Sequence, residues 1–192
     1  IYEQPYNPLR PVVCFDERPC QLLDNVLMPI PMKPGRIERE DYHYKRNGTA
    51  VVLMAVEPLA GYRIVRVTEQ KTKKDYAEFM KCLSSHYPNA EKIVLVQDNL
   101  NTHNPSSFYE TFDAQDAFEL SQRFEFVYTP KKASWLNMAE IELSALSKQC
   151  LDRRIAQRRI LTKEVMTWSG KRNRLRTKIT WQFTKNIARE KL

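Results

Sequence analysis

The chain has 192 residues, and its 42% hydrophobic and 28% charged residues are typical of a single globular domain rather than of a disordered protein. No apolar run approaches the roughly 20 residues that a helix needs to cross a bilayer, which excludes a helical membrane protein. The start, Ile1–Pro8, has no signal peptide and no initiator Met. We therefore expect a fragment, or a chain numbered from an internal residue, that works in the cytoplasm.

The formal net charge of +8 is concentrated towards the C-terminus. Residues 1–144 carry a net charge of −3, whereas residues 145–192 carry 14 basic and 3 acidic side chains, a net charge of +11. A basic segment attached to a nearly neutral body is typical of a protein that binds a polyanion, and nucleic acid is the first candidate. The alternative is a solvated helical face that only favours solubility.

The four cysteines indicate a reducing compartment. They form no C-x-x-C pair, and neither they nor the three histidines have the spacing of a zinc site. We expect free, mostly buried thiols and no disulfide.

The first part of the chain predicts an antiparallel meander. An apolar strand, Val12–Asp16, is followed by a turn at Arg18-Pro19 and a returning strand at Gln21–Val26. The runs Thr49–Val56 and Tyr62–Val67 predict two further strands, because they are rich in β-branched residues and flank a turn.

From about residue 72 the pattern alternates between helices and strands. Thr72 and Asp75 resemble a capping box ahead of a helix, and Ile93–Val96 predicts a strand buried on both faces. A helix begins at Pro105, and a further strand covers Phe124–Tyr128. Two more helices follow, the first from Leu136 to Cys150 and the second from Thr162, as its cap, to Arg176. This order predicts an α/β domain with a mixed central sheet flanked by helices.

Acidic residues lie at strand ends and on a helix, where they are candidates for catalytic side chains. Asp16 and Asp98 end apolar strands, and side chains at strand ends emerge from a core into a cleft. Glu140 and Glu142 lie on the following helix, about 200° apart around its axis, so only one of them can face a common site. Helix geometry alone leaves both candidates open.

Three clustered carboxylates repel one another, and a hard divalent cation removes that penalty. Two Mg²⁺ or Mn²⁺ ions held by such a cluster can support phosphodiester cleavage. For each acid taken alone, a turn or capping role is the ordinary alternative.

Several motifs, in order, resemble the catalytic domain of bacterial insertion-sequence transposases of the mariner superfamily, in the insertion-sequence-630 branch. The segments that carry the resemblance are Val12–Glu17, Tyr44–Ala50, Ile93–His103 (IVLVQDNLNTH), Tyr128–Pro130, Ser134–Glu140 and Gln149–Ile155.

The resemblance implies a ribonuclease-H-like fold and an Asp-Asp-Glu metal triad formed by Asp16, Asp98 and Glu140, which would be both the catalytic residues and the metal ligands. It favours Glu140 over Glu142, since Glu140 occupies the Glu position of the family's L-N-x-x-E element. The 41 residues between Asp98 and Glu140 exceed the usual spacing, and we expect the excess around Thr111–Arg123.

Other residues are candidates for supporting roles around the triad and on the DNA. Asn99, His103 and Asn137 could lie behind the metal ligands, although His103 could equally be a structural histidine. Candidate DNA contacts are Lys131, Lys132, Trp135, Arg153, Arg154, Arg158 and Arg159. Lysine and arginine would hold phosphates, whereas Trp135 could stack on an unpaired base or belong to the core.

The resemblance implies a DNA transposase that uses two Mg²⁺ or Mn²⁺ ions to cut transposon ends and to join the 3′-OH to target DNA at TA. Its partners would be double-stranded DNA and a second copy of the chain in a synaptic complex, within the bacterial cytoplasm near the nucleoid. Residues 1–192 would form one catalytic domain with a basic helical segment at about 145–192, without the family's N-terminal helix-turn-helix. The alternatives are a ribonuclease-H-like nuclease without strand transfer and an inactive copy that only binds DNA.

Overall fold

A computed structural model describes residues 1–37, 39, 41–131 and 133–181. Its strands are β1 (Val12–Asn25), β2 (Tyr44–Glu57), β3 (Tyr62–Thr68), β4 (Ile93–Gln97) and β5 (Phe124–Tyr128). Its helices are α1 (Lys73–Ser85), α2 (Ser106–Tyr109), α3 (Ala114–Gln122), α4 (Met138–Gln149) and α5 (Arg158–Arg174), with a 3₁₀ turn at Ser134–Leu136.

The strands form one mixed sheet in the order β3-β2-β1-β4-β5. The pairs β1–β2 and β2–β3 are antiparallel, whereas β1–β4 and β4–β5 are parallel. Helices cover both faces, which confirms the predicted α/β class with a mixed sheet.

The predicted turn at Arg18-Pro19 is wrong, because β1 continues through it to Asn25. Pro19 is paired with Val51 of β2, and within β1 only Val12–Cys14 pairs with β4. Beyond Cys14, one side of β1 is therefore an open edge, where a residue without an N–H is tolerated. The meander is confirmed, but its first two predicted strands are a single strand.

The face of the sheet that carries α1 holds the larger core cluster. Phe15, Phe79 and Phe108 are fully buried there, together with Ile93 and Leu95 of β4. The predicted capping box of α1 is confirmed, since the Thr72 side chain accepts from the Asp75 backbone and the Asp75 side chain accepts from the Thr72 backbone.

The predicted helix at Pro105 is interrupted. After α2, the chain turns and restarts as α3, where the side chain of Asp113 accepts from the Asp116 N–H and caps the helix. Phe108 is buried, whereas Tyr109 is exposed, so the continuous apolar face that the sequence suggested is absent from this short helix. The helix α3 lies in the stretch where extra length was expected.

The opposite face of the sheet carries α4 and α5, which belong to the domain core. Leu143, Leu146, Leu161 and Val165 pack together against side chains of β2. Residues 150–157 are not helical, and α5 begins at Arg158 rather than at Thr162, whose hydroxyl instead donates to the Arg158 carbonyl within the helix. The basic region up to residue 181 is therefore built into the fold, and residues 182–192 lie outside the described part.

The four cysteines are free, as predicted, although only Cys14 is fully buried. No helix in the described ranges is both long enough and apolar enough to cross a membrane.

A buried ion network joins α4, α5 and β3. Arg63 and Glu142 are each 1% exposed, and Nε of Arg63 donates to Oε1 of Glu142 at 2.6 Å. Arg172 donates to both oxygens of the same carboxylate, at 2.5 and 3.1 Å. The remaining guanidinium donors of Arg63 reach the carbonyl oxygens of Gly61 and Thr177. Each buried charge in the network is thus paired, as burial demands.

This network draws the segment after α5 against the β2–β3 turn. Gly61 has φ +68°, and a Cβ at that position would lie 2.5 Å from the backbone of Arg176. Only glycine permits this approach, because any side chain would clash with backbone and not with a movable group.

We expect Glu142→Gln to lower the free energy of unfolding by about 3–5 kcal/mol, because it leaves two arginines without their buried counter-charge. Urea denaturation measures this loss. The matched control is Glu78→Gln, which removes an exposed carboxylate 3.8 Å from Arg66 and should cost less than about 1 kcal/mol. Equal effects from the two variants would contradict a structural role for the Glu142 network.

Candidate functional site

Asp16 lies on the face of the sheet that is covered by α4. Side chains alternate along a strand, so Asp16 and Cys14 share one face, and Cys14 packs against Met138 and Ala139 at the start of α4. Asp16 does not end its strand, as the sequence suggested, because β1 runs on to Asn25. It does lie just past Cys14, the last residue that pairs with β4, and so borders the opening at the end of that strand.

Asp98 follows β4 directly, as predicted. Both hydrogen bonds that its side chain accepts within the described structure fall on Oδ1, one from Nδ1 of His103 and one from the Leu100 N–H at 3.3 Å. The parallel pairing of β1 with β4 brings Asp98 to the same sheet edge as Asp16.

Glu140 lies in the first turn of α4, and Asn137 determines where that turn sits. The Asn137 side chain accepts from the Ala139 N–H at 3.1 Å, which caps the helix. Its amide nitrogen donates to the Phe15 carbonyl oxygen at 2.8 Å, which fixes the start of α4 to the residue before Asp16. Local capping and a long-range bond thus come from one buried side chain.

The structure separates the two acidic candidates of α4. Glu142 is engaged with Arg63 and Arg172 on the flank that faces α5, away from the other acids. Glu140 is close enough to Asp16 for its charge to raise the Asp16 pKa. Of the two acids of α4, Glu140 is the one whose charge acts on Asp16, and its role as a metal ligand stays a prediction.

The carboxylates of Asp16, Asp98 and Glu140 are here called the acid cluster, and the charges of the other two members act on Asp16. Burial raises the pKa of Asp16 to about 7, and the charges of Glu17, Asp98 and Glu140 also raise it, against a hydrogen bond from the Glu17 N–H. The hydrogen bond from His103 holds the pKa of Asp98 below its ordinary value despite partial burial. The pKa of Asp16 is therefore raised mainly by burial and further by the neighbouring like charges.

An all-oxygen donor set of this kind fits a hard divalent cation such as Mg²⁺ or Mn²⁺. Among the described residues, no group of three or more His, Cys, Asp or Glu side chains is arranged to hold a metal ion. Oδ1 of Asp16 accepts a bond from the Glu17 N–H, and Oδ1 of Asp98 accepts one from His103.

The sequence did not predict the contacts that link Lys71, Glu17 and His103 behind the acid cluster. Glu17 projects to the α1 face, where its side chain is 7% exposed and lies 2.9 Å from Nε2 of His103, in an alignment poor for a hydrogen bond. Lys71 reaches its other oxygen at 3.2 Å. Strand alternation correctly indicates that Glu17 turns away from Asp16, but nothing in the sequence pairs it with His103.

The three candidate supporting residues have different surroundings. Asn137 is buried and bridges α4 to β1, and His103 is buried between Asp98 and Glu17. Asn99 follows Asp98 directly and is exposed.

Two candidate DNA contacts lie in the segment that leads from β5 to α4. The Thr129 N–H donates to the Gln97 carbonyl at 2.9 Å, so the segment that leads from β5 to α4 begins beside Asp98. Lys131 is exposed in this segment, and Trp135 is 46% exposed in the 3₁₀ turn. Lys132 lies outside the described residues.

The four candidate arginines lie elsewhere, and three have protein partners. Arg153 pairs with Glu164 at 2.6 Å, and Arg158 donates to Glu69 at 3.2 Å. Arg154 bonds Asn25 and two backbone carbonyls near the far end of β1 and β2, about 30 Å along β1 from Asp16 at 3.3 Å per residue. Arg159 is exposed at the start of α5.

Comparison with known proteins identifies relatives of this fold. A family model described as DDE superfamily endonuclease matches residues 11–162. No curated protein sequence matches the chain.

Among solved structures, the Mos1 mariner paired-end complex with Mn superposes with a TM-score of 0.59 and 15% identity, covering 95% of this chain and 56% of that one. The Mos1 strand transfer complex gives a TM-score of 0.52 and 14% identity, with 95% and 55% coverage. This likeness confirms the predicted ribonuclease-H-like fold. The chain spans about half the length of the Mos1 chains that it matches.

We expect Asn137→Ala to lower the free energy of unfolding by about 2–3 kcal/mol, because it removes a helix cap and leaves the buried Phe15 carbonyl without its donor. The matched control is Asp113→Ala, which removes only the cap of α3 and should cost about 1 kcal/mol. Chemical denaturation of both variants measures the difference. A loss from Asn137→Ala no larger than the control's would mean that the bond to Phe15 does not hold α4 in place.

Proposed function

Because this chain belongs to the DDE superfamily endonuclease family, we propose that it is the catalytic domain of a DNA transposase that cuts transposon ends and joins their 3′-OH to target DNA. The observation that supports the proposal is the pairing of β1 with β4, which puts Asp98 beside Asp16, together with the charge of Glu140 acting on Asp16 from α4. A purely structural use of three carboxylates would leave their mutual repulsion without compensation.

Asp16, Asp98 and Glu140 would hold two divalent cations, Mg²⁺ or Mn²⁺. When bound, these ions activate the attacking water or 3′-hydroxyl and stabilise the leaving oxygen of the phosphodiester. The chain's own contribution is placement, since Asn137 fixes α4 against β1 and the β1–β4 pairing fixes Asp98 beside Asp16.

A basic face of α5 is suited to the phosphates of double-stranded DNA. Four of its five exposed cations fall within an arc of about 120° at 100° per residue, opposite the buried face. The four cations are Arg159, Lys163, Lys171 and Arg174. They lie on the same side of the sheet as Glu140, whereas α1 covers the other side. Phosphate contacts position DNA without reading its sequence.

Lys131 and Trp135 would act nearer to the cut, with Lys131 on a phosphate and Trp135 stacked on an unpaired base. A preference for TA in the target fits this arrangement, because TA steps are flexible and easily unstacked.

The wider setting rests on the resemblance and the structural relatives. We propose one catalytic domain of the insertion-sequence-630 branch, acting as a homodimer on paired ends beside the bacterial nucleoid in the cytoplasm. The Mos1 structures are a paired-end complex and a strand transfer complex, which supports DNA ends and target as partners.

The first alternative is a nuclease of the same fold without strand transfer, since the same acids would serve it. The second is an inactive copy that only binds DNA. A cleavage assay followed by a joining assay with a 3′-OH donor distinguishes all three.

We expect Asp98→Asn, Asp16→Asn and Glu140→Gln each to lower metal-dependent cleavage of plasmid DNA by at least about 100-fold, since removing one electrostatic group from a reaction centre costs about 10²–10³. Thermal melting should show each variant still folded. The matched control is Glu110→Gln, which removes an exposed carboxylate that pairs with Lys73 of α1. Near-normal cleavage by Asp98→Asn in the same Mg²⁺ buffer would refute the proposed site.

We expect DNA affinity to fall steeply with salt, mainly through α5. Replacing Lys163, Lys171 and Arg174 by Gln should reduce the slope of log K against log salt by about 3, since each phosphate contact contributes about 0.9. Substitution is preferable to truncation, because deleting residues 145–192 would remove part of the core. Fluorescence anisotropy at several salt concentrations measures the slope.

The matched control replaces Lys73, Lys74 and Lys81 of α1, three lysines on the opposite face of the sheet, and should leave the slope nearly unchanged. Equal reductions from the two triple variants would show that net charge, rather than the face of α5, determines DNA binding.

A further inference from the structure

His103 is held in one orientation between two carboxylates. It is 3% exposed, with Nδ1 against Oδ1 of Asp98 and Nε2 2.9 Å from Oε2 of Glu17. Because an ionised carboxylate only accepts hydrogen bonds, the ring nitrogen beside Asp98 must be the donor. The bond therefore restricts the rotation of the Asp98 side chain.

The ring itself is held by packing. It stacks on Tyr76 with centroids 5.1 Å apart and meets the edge of Phe15 at 5.2 Å. The backbone carbonyl of His103 accepts from Nε2 of Gln97 at 2.8 Å. Oε1 of Gln97 in turn accepts from the Tyr76 hydroxyl at 2.9 Å. The turn from Asp98 to His103 is thus closed by side chains that are all buried.

We propose that His103 is a positioning residue that occupies Oδ1 of Asp98 and thereby leaves Oδ2 as the oxygen available to a divalent cation of the acid cluster. This inference rests on the proposed function, and it adds a determinant of metal affinity. Three observations support it: the Asp98 side chain is partly exposed, both of its hydrogen bonds fall on Oδ1, and the residue that holds Oδ1 is itself immobilised. Partners behind a metal ligand commonly change metal affinity by about 10–100-fold when removed.

His103 also holds Glu17 apart from the acid cluster. Glu17 is the neighbour of Asp16 in sequence, and its charge already raises the pKa of that carboxyl. With His103 and Lys71 both contacting it, the Glu17 carboxylate stays on the α1 face. The cation would consequently meet three carboxylates rather than four.

Two substitutions separate the contacts of His103. His103→Asn keeps a donor near the position of Nδ1 and so can still bond Asp98. His103→Gln keeps a donor near the position of Nε2 and so can still reach Glu17. The packing control is Ser107→Ala, which removes a buried bond to the Thr102 carbonyl in the same turn without touching Asp98.

The measurement is Mn²⁺ binding by isothermal titration calorimetry on the full chain without DNA, with thermal melting of the metal-free protein alongside. We expect His103→Gln to raise the Kd for Mn²⁺ by about 10-fold or more, and His103→Asn and Ser107→Ala to stay within about 3-fold of wild type. Cleavage by His103→Gln should approach the wild-type rate at saturating Mn²⁺, because the defect lies in metal affinity.

The proposal is overturned if His103→Gln binds Mn²⁺ like the wild type while Asp98→Asn does not bind it, a result that would leave the proposed function intact. It is also overturned if Asn and Gln weaken binding equally, or if Ser107→Ala weakens it as much as Gln does. Failure of the wild-type chain to bind Mn²⁺ would remove the proposed metal site and this inference together.

Discussion

The amide of Asn137 bonds the start of α4 to the Phe15 carbonyl, and the arrangement of the acid cluster depends on that contact. Without this bond, only apolar packing would hold the first turn of α4, which carries Glu140, against β1. One side chain both caps the helix and ties it to the strand. This rigid arrangement holds the carboxylates together despite their repulsion. Preorganised groups need no rearrangement when charge develops during a reaction.

Glu142 supplies the second anchor of α4, on the opposite flank. Buried ion pairs contribute little net stability, but removing one partner is costly, so they act by excluding other arrangements. Here a single carboxylate receives Arg63 from β3 and Arg172 from α5, which prevents α4 from rotating about its axis. A rotation of α4 that moved Glu142 away would leave Arg63 and Arg172 without the carboxylate that they share.

The sequence was sufficient where local patterns decide the structure and insufficient where distant partners do. Asp98 at the end of β4 and the Thr72 cap follow from periodicity and capping rules, and both are confirmed. Pro19 suggested a turn, but a strand tolerates proline where one of its sides has no partner strand. The sequence alone does not show that β4 stops pairing with β1 at Cys14. The roles of Glu142 and Arg154 were hidden, since their partners lie 79 and more than 100 residues away in the chain.

The close approach of Gly61 to Arg176 has a consequence for how the protein is made. The segment after α5 also donates from the Ile179 N–H to the Pro58 carbonyl at 3.1 Å, so the turn between β2 and β3 is closed by residues more than a hundred positions later. Such non-local contacts form late, because the loop between them must first be closed. On the ribosome, Arg63 and Glu142 remain incompletely paired until Arg172 and Thr177 have emerged. A nascent chain therefore carries Asp16, Asp98 and Glu140 before the buried network that anchors α4 is complete.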